Sequence, residues 1–196
     1  STGAYLGGQL RAGDSQSMLP DPGGPAWRVA EATPVGNRKP TLVVMVVGET
    51  ARAANFQLGG YERETNPQLA ARRDLLYFSD VSSCGTSTAI SVPCMFSQSG
   101  RSEFSAAQAS RIPNMLDVLA STAVDVTWLD NNSGCKGVCA RVPTMNLGAG
   151  RQGLEIPLVP TQCKEEPCFD SVLGEAFAAQ LANRSRSAAD QLFVIH

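Results

Sequence analysis

The sequence of 196 residues has a small net charge, a single histidine and no long apolar run. The small net charge and the lack of a long apolar run each argue against a class of function. A net charge of −2 with no Lys/Arg-rich block argues against a nucleic-acid partner. No apolar run approaches the ~18 residues of a membrane span, and the first residues lack the charged-then-apolar pattern of a secretory signal. We therefore expect a soluble protein or the soluble part of a larger one.

The remaining composition is that of a folded domain with a linker in front of it. The hydrophobic fraction is 43% and the charged fraction is 17%, and the chain is long enough for one domain with a real core. Residues 1–40 are rich in Gly, Pro, Ser and Ala, a composition that cannot bury enough apolar surface to offset chain entropy. We predict a linker or irregular segment over 1–40 and an ordered domain over 41–196.

Six cysteines fall in three close pairs. The pairs are Cys84 with Cys94, Cys135 with Cys139, and Cys163 with Cys168. None has the C-x2-C spacing common in cysteine-based zinc sites, and the single histidine, His196, is the last residue. Local disulfides that close small loops, formed in an oxidising compartment such as the periplasm, are the favoured interpretation. Reduced structural or metal-binding thiols are the alternative.

Apolar runs and helical periods alternate along the ordered part. Residues 41–47 form a continuous β-branched run, which predicts a strand of a parallel sheet that is buried on both faces. Further strands are predicted at 75–81, 123–129 and 192–196, and helices at 66–71, 87–98, 113–121 and 169–181, whereas 140–162 shows no clear period. The order β-α-β-α-α-β-α-β predicts an α/β sheet with helices on its faces.

Two polar positions stand at the ends of these elements. Glu49 directly follows the first strand, where a carboxylate is costly unless it is hydrogen-bonded, paired or metal-bound. It is either a functional acid or a helix cap or partner for Arg52. The hydroxyl run before the 87–98 helix contains Thr88, which we expect to be a nucleophile at a helix start that attracts phosphate. The competing explanation for this run is ordinary N-capping.

Four stretches carry a resemblance to a known family. They are VGETARA at 47–53, GYERETNP at 60–67, SCGTSTAISVPCMFS at 83–97 and DNNSGCKGVC at 130–139. In this order they resemble the lipid A phosphoethanolamine transferases, a family that includes the mobile colistin-resistance proteins. The resemblance spans 41–139, with a weaker match over 193–196.

The resemblance implies a fold, a place and a reaction. The fold is an alkaline-phosphatase-like, sulfatase-like α/β domain on the periplasmic face of the inner membrane, tethered by a transmembrane part that this chain lacks. Residues 41–196 would be the N-terminal part of that catalytic domain. The reaction moves phosphoethanolamine from phosphatidylethanolamine to a lipid A phosphate through a phosphoethanolamine-threonine intermediate.

The resemblance also implies a role for individual residues. Thr88 takes the place of the nucleophile, and Glu49 and Thr88 that of zinc ligands. Asn132 and Lys136 match positions that hold the substrate headgroup, and the three cysteine pairs match local disulfides. Zinc would lower the pKa of the threonine hydroxyl, a weak nucleophile without such help. Lys136 would act as a point charge on phosphate, although most single lysines are simply solvated.

The sequence lacks several parts of the family pattern. The family's later Asp-His-Gly-Glu segment, which supplies further zinc ligands, is absent, and the stretch that begins at His196 is cut off. We do not assign His196 as a ligand, and we expect an incomplete enzyme and a native protein that continues. A hydrolase of the same superfamily and a non-catalytic binding module are the alternative functions.

Overall fold

The computed structural model describes residues 39–48, 50–122, 124–148, 153–156, 168–184 and 189–196; the side chains of 183 and 184 are outside this description. The predicted linker over 1–40 lies almost wholly outside the described residues, and it stays a prediction.

A five-stranded parallel sheet forms the centre of the chain, which confirms the α/β prediction. The strands are β1 (Leu42–Val46), β2 (Asp125–Asp130), β3 (Pro143–Asn146), β4 (Leu154–Glu155) and β5 (Gln191–Ile195). Their order in the sheet is β1-β5-β2-β3-β4, and every neighbouring pair is parallel. The last strand along the chain therefore lies between the first two, and the ends of β1, β5 and β2 open at one edge.

Helices lie between the strands, and most follow the predicted periods. They are α1 (Pro67–Ala70), α2 (Thr88–Met95), α3 (Ala106–Ala109), α4 (Met115–Ser121) and α5 (Ser171–Arg184), with two 3-10 turns at Ala53–Asn55 and Gln57–Gly59. The helix α4 begins with a capping box, in which Asn114 accepts from the Leu116 amide while Asp117 accepts from the Asn114 amide. This reciprocal bonding satisfies first-turn amides that have no partner within the helix.

Three predictions about secondary structure are wrong. Residues 75–81 form no strand, and Leu76 and Phe78 are 81% and 75% exposed. A strand needs a neighbouring strand as hydrogen-bond partner, which strand propensity alone does not supply. Two short strands, β3 and β4, lie within 140–162, where no period was visible. The burial of β1 on both faces is also wrong: it is the outer strand of the described sheet, and Val46 is 71% exposed.

The core has two parts, one on each face of the sheet. On one face, Val92 and Phe96 of the α2 region and Leu116 of α4 pack in one cluster with Trp128 and Val194. On the other, Leu173 and Ala176 of α5 pack with Leu129, Met145 and Phe193. Among the described residues, no helix is both long and apolar enough to cross a membrane.

Candidate active site at the carboxyl edge of the sheet

The chain leaves β1, β5 and β2 at the same edge of the sheet. The Val47 amide donates to the Ile195 carbonyl at 2.8 Å, and the Asn131 amide donates to the His196 carbonyl at 2.8 Å. Open parallel sheets bind their ligands at this edge. Glu49, two residues beyond Val47, lies outside the described residues, so its predicted role as a zinc ligand stays a prediction. Thr50 has a left-handed φ of 54°, which is unusual for a β-branched residue.

Thr88 is the first residue of α2, on the helix face that packs against the sheet. Val92 and Phe96 follow it at intervals of four residues and belong to the buried core, whereas Thr88 itself is half-buried. The N-cap residue is Ser87, which has extended backbone angles and makes no side-chain cap hydrogen bond. The hydroxyl at position 88 is thus not that of the N-cap residue, and it lies in the first turn, where the helix dipole favours an anion.

Two of the predicted disulfides are formed. Cys84 is bonded to Cys94 with their Cα atoms 6.3 Å apart, and Cys135 is bonded to Cys139 with their Cα atoms 5.7 Å apart. The first bond ties the segment before Thr88 to the end of α2. Cys168 is also disulfide-bonded. Its predicted partner, Cys163, lies outside the described residues.

The end of β2 carries a buried carboxylate that the sequence reasoning missed. Asp130 is 1% exposed, and its Oδ2 atom accepts from Trp128 Nε1 at 2.8 Å and lies 3.1 Å from His196 Nδ1. Its Oδ1 atom accepts from the amides of Asn132 at 2.9 Å and Gly134 at 3.3 Å. Burial raises the pKa of Asp130, but the hydrogen bonds from His196, Trp128 and Asn132 outweigh burial and hold this pKa below its usual value.

Asn132 and Lys136 lie on one loop that follows this carboxylate. The Asn132 Oδ1 atom accepts from the Ser133 amide at 2.7 Å, and Lys136 Nζ donates to the Ser133 carbonyl at 2.6 Å and to Ser133 Oγ at 2.7 Å. Lys136 has a left-handed φ of 53°, and Gly134 has a φ of 88°, a conformation that glycine adopts without strain. Both predicted headgroup residues are thus hydrogen-bonded to Ser133 of the same loop.

A surface pocket connects this loop to α2. Lys136 and Gly137 line it together with Pro93 of α2 and, from the following segment, Ser97 and Glu103. Thr88 is not among the residues that line this pocket. Lys136 therefore lies near the second half of α2, whereas the predicted nucleophile is at the other end of the helix.

The sequence contained a usable signal for Asp130. An apolar strand that ends in aspartate and continues into Asn-Asn-Ser-Gly is typical of a carboxylate that accepts from the following loop amides. His196 joins the site only because β5 lies beside β2, a neighbourhood that its place at the end of the chain does not reveal.

The described residues do not assemble a complete metal site. Within them, no group of three or more His, Cys, Asp and Glu side chains could hold an ion. Of the two predicted ligands, only Thr88 is described. A carboxylate and a hydroxyl suit zinc in kind but fall short of the three protein ligands of a catalytic site. We therefore derive no step through zinc.

A parallel sheet with helices on both faces and polar loops at its carboxyl edge defines an open α/β domain, a class that binds its ligands at that edge. The chain belongs to the sulfatase family, whose model matches residues 41–196. This membership and the structural relatives below confirm the predicted alkaline-phosphatase-like, sulfatase-like fold.

Sequence relatives confirm the predicted resemblance to phosphoethanolamine transferases. The chain is 40% identical over 159 residues to phosphoethanolamine transferase EptA of Escherichia coli (strain K12). The aligned region covers 81% of this chain and 27% of that protein. It is 52% identical over 113 residues to phosphatidylethanolamine transferase Mcr-1 of Escherichia coli, and this aligned region covers 58% of this chain and 21% of that protein. The chain thus spans about a quarter of the length of these relatives.

A solved structure agrees with these relatives. It is the soluble domain of lipooligosaccharide phosphoethanolamine transferase A from Neisseria meningitidis, which is 40% identical to this chain and superposes with a TM-score of 0.69. The match covers 83% of this chain and 46% of that one. The matched part of this chain therefore corresponds to less than half of that soluble domain.

Proposed function

We propose that the protein containing this chain transfers phosphoethanolamine from phosphatidylethanolamine to a lipid A phosphate, with Thr88 as the nucleophile. The supporting observation is the position of Thr88. It is the first residue of a core-packed helix, in a chain 40% identical over 159 residues to a named phosphoethanolamine transferase. The donor, the acceptor and the covalent step are all part of the proposal.

The proposed reaction has two balanced steps. In the first, Thr88 Oγ forms a bond to the phosphorus of phosphatidylethanolamine, the phosphorus–oxygen bond to diacylglycerol breaks, and diacylglycerol leaves with the proton that Thr88 has lost. In the second, a lipid A phosphate oxygen forms a bond to the same phosphorus, the bond from phosphorus to Thr88 Oγ breaks, and Thr88 Oγ takes up the proton that the attacking phosphate gives up. The N-terminus of α2 favours the negative charge of the bound phosphate in both steps.

Asn132 and Lys136 are proposed to hold the phosphoryl headgroup. Lys136 Nζ is hydrogen-bonded to Ser133 atoms of its own loop, so that loop places its ammonium group. A lysine ammonium placed in this way can act as a point charge on a bound phosphate.

Zinc is proposed as a metal of the complete protein, with Glu49 and Thr88 among its ligands. When bound, it would lower the pKa of the threonine hydroxyl and withdraw charge from a phosphoryl oxygen. Zinc content measured on the complete protein tests this assignment. About one equivalent that is lost in Glu49→Ala supports it, and an unchanged content in that variant contradicts it.

The place of action is proposed to be the periplasmic face of the inner membrane, because both lipids of the reaction are membrane lipids. The disulfides Cys84–Cys94 and Cys135–Cys139 support an oxidising compartment.

The deciding experiment separates transfer from hydrolysis. The complete protein is incubated with phosphatidylethanolamine labelled in its headgroup, with and without lipid A. Label that appears on lipid A, with little free phosphoethanolamine, supports the transferase. Rapid release of free phosphoethanolamine with unmodified lipid A would establish the superfamily hydrolase instead. No reaction of the donor would favour a binding module.

A further inference from the structure

We infer that Asp130 and His196 form a positioning pair, which sets the loop 130–136 and thereby the placement of Asn132 and Lys136 at the headgroup. Neither residue is required to touch substrate or metal for this role. The inference rests on the proposed function only for the identity of the molecule that Asn132 and Lys136 bind.

The two oxygens of Asp130 divide their hydrogen bonds between the sheet and the loop. Oδ2 faces the side chains of Trp128 and His196, whereas Oδ1 accepts from the backbone amides of Asn132 and Gly134. A carboxylate offers about four acceptor positions, so these contacts use its full capacity. Asp130 therefore joins the loop backbone to the buried end of the sheet through one fully satisfied group.

His196 completes this connection from the neighbouring strand. Its side chain is 0% exposed, and its ring meets Trp128 edge-on with the ring centroids 5.6 Å apart. Its amide donates to the Leu129 carbonyl at 2.9 Å, and its carbonyl accepts from the Asn131 amide. An ionised carboxylate can only accept, so the proton of this side-chain bond is on Nδ1 and is donated to Asp130. The backbone bonds of His196 and its contact with Trp128 thus orient the imidazole independently of its hydrogen bond to Asp130.

A chain of hydrogen bonds along the loop connects Asp130 to Asn132 and Lys136, the predicted headgroup residues. The Asn132 amide is held by Asp130, and the Asn132 side chain accepts from Ser133. Ser133 in turn accepts both hydrogen bonds from Lys136 Nζ. A shift of the amides at 132 and 134 therefore displaces the lysine that is proposed to meet phosphate.

A pair of variants at one position tests the pairing. The side-chain nitrogen of asparagine is attached to Cγ, as Nδ1 is, whereas that of glutamine is one bond further out, as Nε2 is. His196→Asn therefore keeps a donor where Asp130 needs it, and His196→Gln does not. Both lose the ring, so a role that depends only on packing affects them alike. A role that depends on Nε2 instead favours His196→Gln.

The first measurement is amide hydrogen exchange at Asn132 and Gly134 in the complete protein. We expect His196→Gln to speed exchange there about tenfold, because a charged hydrogen bond supports that loop, and His196→Asn to stay within about threefold of the parent. Phe177→Leu, which loosens the opposite face of the sheet, is the control for general destabilisation and should leave both amides unchanged. Equal effects of the two His196 variants, or a larger effect of His196→Asn, would overturn the pairing.

The second measurement is a double-mutant cycle with Lys136→Ala. If the pair acts through Lys136, His196→Gln should lower kcat/KM for transfer about tenfold in the parent and less than about twofold in the Lys136→Ala background. The same factor in both backgrounds would contradict positioning through Lys136. A parent without transfer activity would defeat the proposed function, and the exchange measurement would still decide whether the pair positions the loop.

Discussion

The two polar segments of the candidate site are held in different ways. The loop after β2 is held by one buried carboxylate, whose donors include a buried imidazole and a buried indole. The segment before α2 is exposed at Ser82 and Ser83; it has a local bond from the Gly85 amide to Ser83 Oγ and is tied to α2 by the Cys84–Cys94 disulfide. The placement of Asn132 and Lys136, the proposed headgroup residues, thus depends on a buried hydrogen-bonded carboxylate, whereas that of Thr88 depends on a covalent tether and helix packing.

The largest difference between the two segments should appear when Thr88, the proposed nucleophile, is removed. Thr88→Ala should lower transfer to lipid A on the order of a thousandfold or more, because the covalent route is lost. Ser87→Ala is the matched control and should keep activity within about threefold, since the Ser87 side chain makes no cap hydrogen bond. The measurement is the initial rate of lipid A modification by the complete protein. Substantial transfer by Thr88→Ala would move the nucleophile to a neighbouring hydroxyl.

The Cys84–Cys94 disulfide should contribute more to the free energy of unfolding than the Cys135–Cys139 disulfide of the loop after β2. Removing Cys84–Cys94, which closes a sequence separation of 10, should lower the free energy of unfolding by about 3 kcal/mol from chain entropy. Removing Cys135–Cys139, with a separation of 4, should cost about 2 kcal/mol. Denaturant unfolding of the paired Cys→Ser variants checks this order. A larger loss from the shorter loop would show that the loop after β2 depends on its disulfide as well as on Asp130.

Acid should loosen the loop after β2 selectively. The pKa of Asp130 is lower in the folded protein than its ordinary value of 3.8, so the carboxylate stabilises the fold above that value and loses this contribution as the pH falls below it. Asp130→Asn should cost about 2 kcal/mol near neutral pH, from weakened charged hydrogen bonds. The difference between parent and variant should shrink below pH 3.8. Denaturant titrations at several pH values measure it, and a constant difference would contradict the ionised carboxylate.

Loss of the headgroup charge should have the smallest of these effects. Lys136→Ala should lower kcat/KM about tenfold, equivalent to about 1.4 kcal/mol, and Lys136→Arg should recover part of it. Arg72→Ala, which removes an exposed ion pair with Asp74, is the control and should leave kcat/KM unchanged. The measurement is transfer rate against donor concentration. Equal losses in Lys136→Ala and Arg72→Ala would exclude a specific role for Lys136.

The sequence predicted those features that depend on local patterns. The apolar runs that became β2 and β5, the helix with Asn114 at its N-cap, and two local disulfides all follow from periods and spacings of a few residues. The 75–81 run failed because a strand requires a partner that no local pattern supplies.

The buried pair was beyond local reasoning for a related reason. Asp130 and His196 are 66 residues apart, and only the insertion of β5 between β1 and β2 brings them into contact. The position of His196 directly after an apolar run indicates the end of a strand, but it does not reveal which strand lies beside it. The sequence could therefore indicate Thr88, Asn132 and Lys136 by resemblance, but not the carboxylate that holds two of them in place.

The most direct test of the account is the covalent state of Thr88. The complete protein is mixed with phosphatidylethanolamine in the absence of lipid A, digested and mapped by mass spectrometry. We expect one phosphoethanolamine group on Thr88, which disappears when lipid A is added and never forms in Thr88→Ala. Steady transfer without any adduct on Thr88, or an adduct on another hydroxyl, would contradict the account.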